Sequence, residues 1–184
     1  MITLSKILVP TDLSTVSVPA LGYAASLAKT HEAEVLVLHV LPMESMKTHV
    51  TGGFGGGLAL PTETTLNVQR QPDIDGFYEQ KKQRLLAFVQ DKIGPELRQS
   101  VKIRPIVKLG KILEETIAAA NEEQCDLIVI TSEGGRLRHL FGKSITERLV
   151  RQAPCPVLSM QPSAYIRTEK DHRTEVKLID QWAA

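Results

Sequence analysis

An open, doubly wound parallel α/β sheet of five strands and four helices is the fold class this sequence predicts, on three observations. Short apolar runs rich in β-branched residues recur along the chain: ILV at 7–9, VLVLHV at 35–40, LIVI at 127–130 and VLSM at 157–160. Runs apolar throughout are those a sheet buries on both faces. Between them lie longer stretches with apolar residues three and four apart, the spacing of a helix with one buried stripe. The two kinds alternate strictly, as β-α-β-(loop)-α-β-α-β-α-β, which is the order of a parallel sheet wrapped by helices.

The first strand, centred on Ile7, Leu8 and Val9, runs into a polar turn, Thr11-Asp12-Leu13-Ser14. A helix follows over about 15–30 with Leu21, Ala24, Ala25 and Ala28 inward, and Pro19 falls in its first turns, where a missing N–H is tolerated. The second strand covers 35–40, and strand, helix and strand make a right-handed crossover the default. Residues 42–75 then break the pattern with GGFGGG at 52–57, Pro61 and Pro72. This insertion reads as a linker or as a lid over a neighbouring site; its glycines open no helix, so it is no phosphate cradle.

A second helix spans about 76–97, with Leu85, Phe88, Val89 and Ile93 on one face and an interruption at Gly94-Pro95. Over 101–108, Val101, Ile103, Pro105 and Val107 alternate with charged or exposed positions, which suits a strand near an edge, where a proline fits. Gly110 breaks the chain before a helix over 112–124, and the strand at 127–130 leads into a loop holding Gly134, Gly135 and Gly142. From Ser144, placed as N-cap, a helix carries Ile145 and Leu149 one turn apart until Pro154 and Pro156 stop it before the last strand. Residues 1–160 form a single domain. The tail, 161–184, carries Tyr165, Ile166, Val176, Leu178, Ile179 and Trp182, enough apolar surface to dock, though its weak periodicity equally fits disorder.

Composition narrows the function. A chain of 184 residues with net charge +1 has no electrostatic footprint for nucleic acid or an anionic membrane. No apolar run approaches membrane-spanning length and the start lacks the features of a secretory signal, so a cytoplasmic protein is expected. Cys125 and Cys155 each stand beside a core strand, as reduced buried thiols do, and neither belongs to a cluster with metal-ligand spacing.

In order along the chain, ILVPTDLS at 7–14, PALGYAASLA at 19–28, VLVLHVLP at 35–42, VKLGKILEETIAAA at 107–120, CDLIVIT at 125–131 and GGRLRHLFGKSITERLVRQAPCPVL at 134–158 resemble the universal stress protein family. The resemblance covers residues 3–160 apart from the insertion. It implies a sheet of order 3-2-1-4-5 of the adenine-nucleotide alpha-hydrolase-like kind, with ligands beyond the carboxyl ends of strands 1 and 4, where the winding reverses. The implied pocket for ATP or another adenine nucleotide, with magnesium, holds Pro10, Thr11, Asp12, Val40, Thr131, Gly142, Lys143, Ser144 and Ile145. It also implies a homodimer paired through the final strand, 157–160.

The departures bear on function. Nucleotide-binding members resemble G-x2-G-x9-G-[S/T], and anchoring on Ser144 and APCPVL puts Ile130, Glu133 and Lys143 at the three glycine positions. A β-carbon there restricts φ and blocks close backbone approach, and the Glu133 carboxylate repels phosphate while the Lys143 ammonium attracts it. Gly142-Lys143-Ser144 looks like the end of a Walker A loop, yet Leu137 stands where its first glycine belongs. Asp12 suits either a ribose or magnesium contact or a simple turn cap. His39 and His139 have no Ser or Cys partner of assignable geometry, so no triad is expected. The expected function is therefore a dimeric stress-response protein that binds an unidentified protein partner and holds no nucleotide tightly. The alternative is a nucleotide-responsive regulator using the same pocket; no enzyme activity is expected, a slow nucleotide hydrolase being the third reading, for which no positioned base or metal cluster stands in the sequence.

Overall fold

The computed structural model describes residues 3–43, 74–132 and 145–161. The 44–73 part of the insertion, the loop 133–144 and the tail from 162 lie outside the described residues, and with them the expectations placed on them. In chain order the elements are β1 (Lys6–Pro10), a 3-10 turn (Thr15–Ser17), α1 (Val18–His31), β2 (Glu34–Leu41), α2 (Ile74–Lys92), α3 (Pro95–Ser100), β3 (Lys102–Leu109), α4 (Ile112–Glu122), β4 (Leu127–Thr131), α5 (Ile145–Gln152) and β5 (Val157–Met160). The strands pair in the order β3-β2-β1-β4-β5, all parallel, as the resemblance implied. The second predicted helix is divided in two, because Gly94 leaves helical geometry and Pro95 opens α3.

Alternate residues of each central strand feed two separate cores. Ile7, Val9, Val35, Val37 and Val129 face one cluster with Ala20, Leu21, Ala24, Ala25 and Ala28 of α1 and Leu85 and Val89 of α2. Leu8, Leu36, Leu38 and Ile128 face the other, with Leu113, Ala119 and Ala120 of α4 and Leu149 of α5. The alanines of α1 present short side chains, which lets the helix lie close over the centre of the sheet. Its end is marked by Glu32 in the left-handed region (φ 55), where the Glu32 N–H and the Ala33 N–H both reach Ala28 O.

The two edges of the sheet differ. Gly110 N–H donates to Leu41 O (2.9 Å), and since backbone groups of a strand point alternately to either side, the Pro105 nitrogen lies on the outer edge of β3. That edge lacks a donor at its middle. On β5 the carbonyls of Pro156 and Met160 accept from Ile128 and Ser132, so the Ser159 N–H and C=O point away from β4. The outer edge of β5 therefore keeps its pairing groups.

β3 carries a second pattern. Lys102, Arg104 and Lys108 alternate with Ile103, Pro105 and Val107; Arg104 and Lys108 meet glutamates at the end of α4, and the exposed Lys102 pairs with Glu34 of β2. The Arg104 guanidinium donates through Nη1 (3.0 Å) and Nη2 to the Glu123 carboxylate and through Nε to Glu34 (3.2 Å). One half-buried cation thus ties two strands to the end of α4.

Candidate functional site

The winding reverses between β1 and β4, and ligands of open α/β sheets bind beyond the carboxyl ends of the strands at such a point. β1 is held there by the Thr11 N–H, which donates to Leu38 O of β2 (2.8 Å). The chain then bends through Leu13, whose φ of 64 lies in the left-handed region that side chains with a β-carbon disfavour. Side-chain hydrogen bonds fix the bend. Leu13 N–H donates to Thr11 Oγ1 (3.0 Å), while Ser14 donates to Asp12 Oδ1 from both its N–H (2.9 Å) and its hydroxyl (2.6 Å).

A hydroxyl has one proton, which sets the direction of the buried chain. Ser17 Oγ donates to Ser14 O (2.8 Å), so the 2.7 Å contact between Thr11 Oγ1 and Ser17 Oγ is a donation from Thr11. His39 Nδ1 stands 2.9 Å from Thr11 O; a carbonyl only accepts, so Nδ1 carries the proton and the ring tethers the end of β2 to the same turn. Asp12 thus caps the turn through Oδ1, and Oδ2 of this exposed side chain accepts no hydrogen bond among the described residues.

At the end of β4, Ser132 spends both donors on Met160 O, its N–H at 2.7 Å and its hydroxyl at 2.9 Å. Thr131 beside it is different: its Oγ1 is buried and has no hydrogen-bond partner among the described residues. Among the described residues, the two lysines at the carboxyl end of β3 are paired. Lys108 pairs with Glu122 (2.7 Å) and Glu115 (3.8 Å), and Lys111 with Glu114 (3.2 Å).

Of the residues singled out in the sequence, Pro10, Thr11, Asp12, Val40 and Thr131 share the carboxyl edge of three adjacent strands. Pro10 is buried and pairs with Leu38; Val40 pairs with Lys108 and packs on the second cluster. Ile145 opens α5 and is exposed. Gly142, Lys143 and Ser144 lie outside the described residues, as do Glu133 and His139. Ile130, aligned to a glycine position, sits inside β4, pairs with Ser159 and packs on the second cluster. Sequence reasoning missed Ser17, Ser132 and the tethering role of His39. Nothing in the linear pattern signals them, since each contact depends on the turn or the strand register.

The remaining chemistry is quiet. Burial pushes the Cys125 thiol up to about 12, and burial likewise raises that of Cys155, so neither is poised as a nucleophile. Among the described residues no group of three His, Cys, Asp or Glu side chains is placed to hold a metal ion.

Comparison with known proteins is consistent in kind. A model described as the universal stress protein family matches residues 3–160. A universal stress protein of Methanocaldococcus jannaschii is 31% identical over 155 residues, covering 83% of this chain and 79% of that protein. A universal stress protein solved in complex with cAMP superposes with a TM-score of 0.57 at 13% identity, over 88% of this chain and 99% of the other. One from Archaeoglobus fulgidus, in complex with dAMP, does so at 0.50 and 17% identity, over 86% and 98%. At such identities these two structures speak to the fold alone.

Proposed function

Because the chain belongs to the universal stress protein family, we propose that it is a dimeric cytoplasmic regulator whose β1/β4 pocket senses adenine nucleotide loosely and without catalysis. The observation that carries this reading is the self-satisfied turn at the end of β1. The N–H groups of Leu13 and Ser14, which a phosphate needs, are held by the chain's own Thr11 and Asp12 side chains, and the Ser132 N–H by Met160. Helix N-termini and glycine loops bind anions through N–H groups that are unspent. Here the described part of the pocket presents none of these three, and the Lys108 and Lys111 charges are paired. Adenine nucleotide enters this reading as the ligand class of two proteins that share the fold, solved with cAMP and dAMP.

Calorimetry with ATP and magnesium tests it. The expected dissociation constant is weaker than about 100 μM, roughly 5.5 kcal/mol of binding free energy. A tighter value would favour the second reading, a conventional ATP regulator in which Lys143, Ser144 and Asp12 replace the lost glycines. No helix among the described residues is long and apolar enough to cross a membrane. The edge asymmetry of the sheet supports pairing through β5, since Pro105 blocks β3.

A further inference from the structure

The chain's two cysteines, Cys125 and Cys155, stand just before β4 and β5, at the end of the sheet opposite the pocket. Both belong to the second core: Cys125 is buried in it, 7% exposed, and the half-buried Cys155 packs against it. The sheet sets their spacing. Ile128 pairs with Val157, and the Ile128 N–H donates to Pro156 O (3.0 Å), so two residues back Asp126 stands opposite Cys155, with Cys125 next to it. Neighbouring parallel strands lie about 4.8 Å apart, and an offset of one residue brings the Cα separation to about 6 Å, inside the roughly 4.4–6.8 Å that a disulfide spans. The thiols also influence each other. Burial first, and then negative charge on Cys155, raises the Cys125 thiol.

Each cysteine alone is a small apolar side chain. Together they are a dithiol, and the surroundings select what it can become. Two thiolates on a soft metal ion would bury net negative charge in an apolar cluster, and no third ligand joins them among the described residues. A disulfide is neutral, so the cluster accommodates it. Each end is anchored: the Cys125 N–H donates to Ala120 O of α4 (2.9 Å), and Cys155 lies between Pro154 and Pro156, which enter β5. β5 itself is four residues long and, among the described residues, pairs with β4 alone.

We propose that Cys125 and Cys155 are joined by peroxide into an intramolecular disulfide, a redox clasp that fastens the start of β5 to the start of β4. Cys155, the less buried, reacts first. Its thiolate attacks the peroxide, an S–O bond forms as O–O breaks, and the departing hydroxide takes up a proton as water. Cys125 then attacks the sulfenic sulfur of Cys155: S–S forms, S–O breaks, and the hydroxyl leaves with the Cys125 proton as a second water. The two sulfurs together lose two electrons, and the peroxide gains them. Because burial raises both thiols, thiolate is scarce at neutral pH and the clasp closes slowly, under sustained rather than brief oxidant.

The test exposes the reduced full chain to millimolar hydrogen peroxide and follows its intact mass, its thiols counted after unfolding, and its thermal midpoint. Both thiols should disappear together, with the mass lower by the two hydrogens removed, one peptide linkage holding Cys125 and Cys155, and full reversal by dithiothreitol. The oxidised chain should melt about 4–10 °C higher, because a loop of about thirty residues is closed in its unfolded state. In Cys125→Ala, Cys155 should pass on to sulfinic acid, which dithiothreitol does not reverse; in Cys155→Ala, Cys125 should stay reduced and peroxide should leave the midpoint unmoved. Wild-type thiols that survive a day in peroxide, a linkage found only between two chains, sulfinic acid in place of the disulfide, or an oxidised midpoint at or below the reduced one each overturns the clasp. None of these outcomes bears on nucleotide binding.

Discussion

Single residues in this protein bear costs that the linear sequence conceals. Leu13, Glu32 and Gln124 all adopt positive φ, a region glycine enters freely and other side chains do not. Glu32 is the informative one, because it is exposed, makes its backbone contact through the N–H, and closes α1 in the position where glycine is favoured. Glu32→Gly is therefore expected to stabilise the chain by about 0.5–1 kcal/mol, read from the midpoint shift in urea at unchanged slope. Leu13 is not equivalent, since it packs partly buried against the first cluster and a glycine there would lose that contact. Residue types in the sequence foretold the turn at Thr11-Asp12-Leu13-Ser14, and its Asp12 proves to be a cap. They could not foretell that Thr131 Oγ1 has no hydrogen-bond partner among the described residues. That fact appears only when the strand register and the proton directions of Thr11 and Ser17 are both known.

Elements were legible wherever burial is complete. The middles of β1, β2 and β4 are apolar because those strands are central, and no competing signal obscures them. β3 was recognised as an edge through Pro105, but its Arg104 and Lys108 read as solvent-facing, whereas they are partly buried against glutamates of β2 and the end of α4. A charge's partner 14, 19 or 70 residues away leaves no mark in local pattern. The energetic weight of this contact lies between that of an exposed pair and a buried one, so Arg104→Met should destabilise by about 1–2 kcal/mol. The pH dependence has a definite sign. Burial alone would raise the Glu34 carboxyl, but hydrogen bonds from Lys102 and Arg104 outweigh it and hold it below its ordinary 4.5; Arg104 lowers Glu123 in the same way. Groups with depressed native values stabilise the fold above their unfolded values and lose that contribution as pH falls through the native ones. The gap between wild type and Arg104→Met should thus be full at neutral pH and shrink below about 4.5. A gap that widens on acidification would contradict the assignment.

Across the whole molecule, the sheet order and the position of its switch point followed from a set of short motifs taken together, although each motif alone is weak. The loop that would complete the pocket and the tail beyond β5 lie outside the described residues, so the sequence remains the only statement about Gly142, Lys143 and Ser144. Assembly can be tested without them. Ser159 directs its N–H away from β4, and Ser159→Pro removes that donor while leaving the pairing with β4 intact. Light scattering should find a dimer for the wild type and a monomer for this variant with unchanged circular dichroism; a variant that stays dimeric would place the contact elsewhere.

The proline in the middle of β3 reaches further than local geometry. A sheet able to add strands at both rims has a valence of two and can propagate into a fibre. One rim here lacks a donor at its centre, so the sheet has a valence of one. Were two such sheets to join about a twofold axis, each would consume the other's single open rim, and growth would end in a continuous ten-stranded sheet bounded on both sides by Pro105.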